Sequence, residues 1–224
     1  MQVRFQDFNG VADILGGTLA PRWKELVGVL EALPLYLKAS DQRGKEGSPI
    51  FDPVAANAGI KDALSTLDGW RTNLPIPDDV AFLGTDVDFF HSGFLVEAQF
   101  SNYPFFLNNV VRSALLAKSR SKMGDGYVTA VGIIAKAHMF PSSNSTLYYE
   151  QAVKQMTEFA KHGVFDVPIR VIGLFAAIGT PVVAVWSEYP GRYSRVPART
   201  EKIHCRLEAS RNEGSISRVT IIHG

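Results

Sequence analysis

The stretch from Tyr127 to Ile178 limits what this chain can fold into more than any other. Two apolar runs, YVTAVGIIAK at 127–136 and PIRVIGLFAAI at 168–178, stand on either side of TLYYEQAVKQMTEFAKHG at 146–163. Near-continuous Val, Ile and Leu predicts strands buried on both faces. The segment between them predicts a helix closed by Gly163. Upstream, VAFLGTDVDF (80–89) and FLVEAQF (94–100) predict two strands joined by a turn at His91, Ser92 and Gly93. NNVVRSALLAKSRSKM (108–123) then predicts a helix with Val110, Val111, Ala114 and Leu115 inward and Arg112, Lys118, Arg120 and Lys122 outward. This alternation of strands and helices implies an α/β fold, a mixed central sheet flanked by helices.

Outside that core the punctuation is clear. PRWKELVGVLEAL (21–33) opens with Pro21 in a tolerated first-turn position, repeats Trp23, Leu26, Val27 and Leu30 at helical spacing, and stops at Pro34. KASDQRGKEGSPIFDPVAAN (38–57), rich in Gly, Ser, Asp and Pro, predicts a long loop of the kind that often carries function. PVVAVWSEY (181–189), EKIHCRLEA (201–209) and ISRVTIIHG (216–224) predict further strands, the last two paired through SRNEG. The expected organisation is one core over 1–185 and a C-terminal β-rich extension over 186–224 packed on the same domain. A chain of 224 residues, 46% of them hydrophobic, suits one well-buried domain. A single cysteine, Cys205, excludes an internal disulfide. MQVRFQDFNG lacks the basic start and apolar run of a secretory signal, and no stretch is long enough to span a membrane. The expectation is a soluble cytoplasmic protein.

The formal net charge of +1 hides a polarised chain. Between Asp78 and Phe100 lie Asp78, Asp79, Asp86, Asp88 and Glu97 and neither Lys nor Arg, a local charge of −5. From Trp186 onward, seven Arg and Lys residues face four Glu residues, a local charge of +3. Asp86 and Asp88 share one face of a strand, Glu97 and Gln99 one face of the next. If those strands pair through the short turn, Asp88 and Glu97 converge. Converging carboxylates repel unless a cation sits between them, and a small set of hard oxygen ligands suits Mg²⁺. The alternative is that these acids are solvated turn residues. An Asp, a short turn, an apolar pair, then Glu, a small residue and a polar residue resembles the loose PD-(D/E)-x-K nuclease core.

A closer resemblance is carried by LKASDQ, IFDPVAAN, LGTDVDF, LVEAQFSNYPF, HMFPSSNSTLYYEQA, FDVPIR and RYSR, in that order, from about Leu37 to Arg195. Together these segments resemble the BglII family of type II restriction endonucleases. The resemblance implies a Mg²⁺-dependent homodimer that cuts double-stranded DNA at a palindrome with a GATC centre, AGATCT being expected, leaving 5′ overhangs. A cognate DNA methyltransferase in the host is implied but is not a binding partner. By resemblance, Asp88 is the principal metal ligand, the main-chain carbonyl of Ala98 lies beside it, and Glu97 acts on the metal through water. Gln99 takes the place where most such nucleases have Lys, and Asn73 in WRTNLPIP lies close by. Ser101 and Asn102 in FSNYPF, with Asn144 and Ser145 in PSSNST, are the implied base readers. Tyr193 and Arg195 in RYSR reach bases or phosphates near the edge of the site.

Some assignments follow from chemistry alone. A glutamine amide donates or accepts hydrogen bonds but takes no proton near neutral pH, so the general base lies elsewhere. The residues of PSSNST also suit a helix cap before LYYEQA. His138 reads as structural. Cys205 lacks a partner at metal-ligand spacing. The competing function is a sequence-specific DNA-binding protein without cleavage activity, which the Gln in place of Lys keeps open. A metal-dependent hydrolase of a non-nucleic substrate is the remoter third reading.

Overall fold

The computed structural model describes residues 1–142, 147–209 and 217–222. Eleven strands in these residues form two sheets. The first has the order β1 (Gln2–Phe8), β8 (Ile169–Phe175), β7 (Ala130–Lys136), β6 (Phe94–Ala98), β5 (Asp86–His91) and β4 (Arg71–Pro75). Strands β6, β7 and β8 run parallel, while β1, β5 and β4 pair antiparallel at the two sides. Every residue of β7 and β8 is buried, as their unbroken apolar runs require. Helices α1 (Val11–Gly16), α2 (Ala20–Ala32), α3 (Pro53–Ser65), α4 (Tyr103–Ser119) and α5 (Tyr149–Lys161) complete the α/β architecture.

The second sheet has the order β11 (Arg218–Ile222), β10 (Arg199–Glu208), β9 (Pro181–Glu188), β2 (Leu35–Ala39) and β3 (Pro49–Phe51). The C-terminal strands therefore pair with strands from the N-terminal third, and β2 runs parallel to β9. A division at 185/186 runs through β9. Both sheets share one hydrophobic cluster, in which Leu37 and Phe51 pack with Phe94, Phe100 and Leu207.

Three local expectations change. The 38–57 segment contains β3 and the start of α3, because Asp52 accepts hydrogen bonds from Val54 N and Ala55 N and Pro53 fits the first turn. Asp78–Leu83 is a 3₁₀ helix, so the strand there begins only at Asp86. Helix α4 starts at Tyr103, with Pro104 in its first turn, and this turns its buried side to Phe106, Asn109, Val110, Ser113 and Ala114. Val111 and Leu115 are consequently exposed and Arg112 is drawn inward. Helix α5 has Tyr148 at its cap position, and the Ser and Asn residues of PSSNST at 143–145 that the sequence offers as a cap lie outside the described residues. The SRNEG turn lies outside the described residues.

Candidate active site and nucleic-acid interface

The site grows from the β5–β6 hairpin. Ser92 and Gly93 at its tip both have positive φ, 50° and 93°, the backbone a tight two-residue turn demands. Phe89 pairs with Val96, a register that sets Asp88 across from Glu97 with both side chains on one face. The two carboxyl groups therefore lie side by side, close enough for the Asp88 charge to raise the proton affinity of Glu97. Ala98 N–H also donates to Asp88 Oδ2 at 2.8 Å.

Glu97 is only 1% exposed. Burial first, and then the neighbouring Asp88 charge, pushes its carboxyl up to about 8 against the pull of Arg112. Burial also raises Asp88, opposed chiefly by the Ala98 N–H bond. The counter-ion missing between Asp78 and Phe100 comes from α4: Arg112 Nη2 contacts Glu97 Oε1 at 2.5 Å, and Nη1 donates to the Asp86 carbonyl at 3.2 Å. One turn earlier Asn109 Nδ2 donates to Gln99 Oε1 at 3.0 Å, and Gln99 Nε2 in turn donates to Ser101 Oγ. Asn109 and Arg112, three residues apart on one helix face, thus hold the two polar residues at the end of β6. The sequence reading missed both. Their signal was a polar pair at i, i+3 inside an otherwise apolar helix face.

On the other side of β5, residues flanking Asn73 pair in register, Thr72 with Phe89 and Leu74 with Val87, but Asn73 itself breaks the ladder opposite Asp88. Its φ is +51°, a left-handed conformation uncommon outside glycine, and its Nδ2 donates to Asp86 Oδ2 at 3.4 Å. Unusual backbone geometry of this sort concentrates at functional positions.

A cleft of about 480 Å³ runs from Ala98, Gln99 and Ser101 to Tyr193 and Arg195. Tyr193 is 88% exposed and Arg195 is exposed beside it, both free to meet a ligand. The structure thus brings together Asp88, Glu97, Ala98, Gln99, Ser101, Tyr193 and Arg195, with Asn73 across β5. Asn102 caps α4 next to Ser101. Asn144 and Ser145 lie outside the described residues. His138 stacks edge-on against Tyr148 at 4.6 Å between ring centres.

No group of three or more His, Cys, Asp and Glu converges among the described residues. The oxygens available are the two neighbouring carboxylates and the adjacent backbone. That sparse, hard set fits Mg²⁺, which usually keeps several waters and takes only one or two protein carboxylates. Among the described residues no helix is long and apolar enough to cross a membrane.

Residues 3–174 match the model of the restriction endonuclease BglII/BglIII family. The type II restriction enzyme BglII of Bacillus subtilis is 47% identical over 204 residues, covering 91% of this chain and 90% of that protein. Among solved structures, restriction endonuclease BglII complexed with a DNA 16-mer superposes with a TM-score of 0.93 at 43% identity, covering 99% of this chain and 100% of that one. Free BglII covers the same shares with a TM-score of 0.76 at 39% identity, so this backbone follows the DNA-complexed relative more closely. With a family match over most of its length and a relative this similar, the chain belongs to the BglII/BglIII family of restriction endonucleases.

Proposed function

We propose that this protein is a Mg²⁺-dependent type II restriction endonuclease that acts as a homodimer on double-stranded DNA. Its target in this reading is a palindrome with a GATC centre, AGATCT, cut to leave four-base 5′ overhangs. The observation that carries the proposal is the Asp88–Glu97 pair, set by the hairpin register immediately before Ala98 and Gln99, which line one cleft with Tyr193 and Arg195.

Asp88, the Ala98 carbonyl and, through water, Glu97 would hold the ion. Mg²⁺ supplies charge neutralisation at the scissile phosphate and acidifies water. The chain's own groups do the positioning. Ala98 N–H fixes one Asp88 oxygen, and Arg112 fixes one Glu97 oxygen. Gln99, with its oxygen taken by Asn109 and its nitrogen turned to Ser101, orients water and the reading strand and moves no proton. Asn73 approaches from β4 beside Asp86.

Ser101, Asn102, Asn144 and Ser145 are the proposed base readers, and Tyr193 and Arg195 reach bases or phosphates near the edge of the site. The homodimer draws support from α4, whose outward side aligns Leu107, Val111 and Leu115 at i, i+4 and i+8, each about two-fifths exposed. Such an apolar stripe on a helix fits a self-complementary two-fold seam, and two-fold symmetry matches a palindromic target.

The test is incubation with unmethylated phage-sized DNA, with and without Mg²⁺, followed by sequencing of fragment ends. Discrete Mg²⁺-dependent fragments ending in 5′ GATC overhangs support the proposal. Intact DNA with retained gel-shift binding would instead identify a DNA-binding protein that does not cut.

A further inference from the structure

Lys136 ends β7, and its side chain is among the largest in the protein to be fully buried. Its ammonium donates to the carbonyl oxygen of Phe100 at 3.2 Å and to that of Leu147 at 3.0 Å. It also lies 4.7 Å from the centre of the Tyr148 ring. Burial alone pulls it down to about 8, a sign of how costly a charge is at this position. Every other residue of β7 is Ala, Val, Gly or Ile, so the sheet itself has no need of a cation there.

The two carbonyls belong to different segments. Phe100 lies beyond the end of β6 and immediately before Ser101 and Asn102, whereas Leu147 lies just before α5, at the downstream flank of PSSNST. Both residues are buried, 4% and 0% exposed, so their carbonyl oxygens have little access to water. The same segments meet again one residue on, where Leu147 N–H donates to the Ser101 carbonyl at 3.1 Å. Ser101 Oγ in turn accepts from Gln99 at the catalytic end of β6. An ammonium has three donors and no acceptor, so one buried Lys can hold several carbonyls that no strand ladder pairs.

We propose that Lys136 is a specificity-determining positioning residue, whose buried ammonium ties the strand end leading into Ser101 and Asn102 to the segment entering α5. The proposal rests on the reading of Ser101 and Asn102 as base readers. Without this tie the reading strand gains freedom to meet incorrect base pairs, while Asp88 and Glu97, placed by the hairpin, keep their geometry. Discrimination therefore suffers more than turnover.

The experiment compares Lys136→Met with the unaltered protein. With Mg²⁺ present, kcat/KM is measured on the palindrome identified by end sequencing and on duplexes with one inner base pair changed. The expected result is a fall of about tenfold or more in the ratio of correct to altered sites. Turnover at saturating correct DNA changes less than that ratio, and hydrogen exchange at the Leu147 amide quickens. A lower melting temperature with an unchanged ratio overturns the proposal, because it is what a purely structural lysine produces. Should the Met variant fail to fold, Lys136→Gln, which keeps an N–H donor, is measured in the same way. Failure of both to fold assigns Lys136 to stability and overturns the proposal too. Asn102→Ala separates the two layers of inference. If it leaves the ratio unchanged, the base-reading assignment fails, whereas a collapsed ratio in Asn102→Ala with an intact one in Lys136→Met sinks the tie alone.

Discussion

Arg112 of α4 meets Glu97 of β6 at 2.5 Å, and this contact supplies a cation to a hairpin that has neither Lys nor Arg of its own. Arg112 is 17% exposed and Glu97 1%, so little water screens the pair. Removing one partner strands the other charge, which in buried pairs costs about 3–5 kcal/mol. Arg112→Met should therefore lower stability by an amount near the bottom of that range, since protonation of Glu97 offers partial relief. Adding Glu97→Gln to Arg112→Met should recover much of the loss. Urea unfolding of the single and double variants checks this, and full additivity of the two effects would refute the coupling.

The raised carboxyls make stability depend on pH in a definite direction. Glu97 titrates at about 8 in the folded protein, well above its usual value, so between the two the folded state holds a proton that the unfolded state has released. Stability from this group is thus undiminished at or below the ordinary carboxylate range and falls as pH rises towards 8. Asp88 shifts the same way. Mg²⁺ favours the ionised pair, so its stabilisation of the protein should grow over this interval. Urea unfolding at pH 5.5 and 8.0, in chelator and in Mg²⁺, gives the comparison. A Mg²⁺ effect equal at both pH values would count against this pair as the ion's site.

The parts of this arrangement that were legible in the sequence are those encoded by neighbours. The apolar runs of β7 and β8 could only be buried strands, and the alternation around Ser92 and Gly93 brought Asp88 to Glu97. What was missed depends on distant partners or on a helix's starting point. Strand β1, QVRFQDF, is mostly exposed along an edge and becomes a strand by pairing with β8 more than 160 residues later. The same Asp52 and Pro53 that read as loop signals are the start signals of α3. Arg112 falls on the outward face when α4 is started at Asn108 and not at Tyr103. That shift altered which residues faced inward, and it hid Asn109 and Arg112.

Gln99 is held at both ends of its amide, by Asn109 and by Ser101. If its part is to position water, Gln99→Ala should lower kcat by about tenfold or more, a rise of about 1.4 kcal/mol or more in the barrier, with DNA affinity nearly unchanged. Gln99→Lys should fall as well, because an ammonium cannot accept the Asn109 hydrogen bond. Single-turnover cleavage and gel shift measure the two quantities. Unchanged turnover in both variants would rule out a positioning role.

The exposed stripe of α4 gives the oligomeric prediction. Leu107, Val111 and Leu115 lie on one helix face, and the buried side of the same helix carries Asn109 and Arg112 to the carboxylates. If two copies meet through this stripe, a charge at its centre has to be desolvated in the seam, and Val111→Asp should shift the protein to monomers. Because position 111 is exposed in one chain, the fold and its melting behaviour should change little. Sedimentation at micromolar concentration reads the assembly state directly. Monomers of Val111→Asp that no longer cut both strands in one encounter would tie assembly to cleavage through α4, whereas dimers that persist would move the seam to another face.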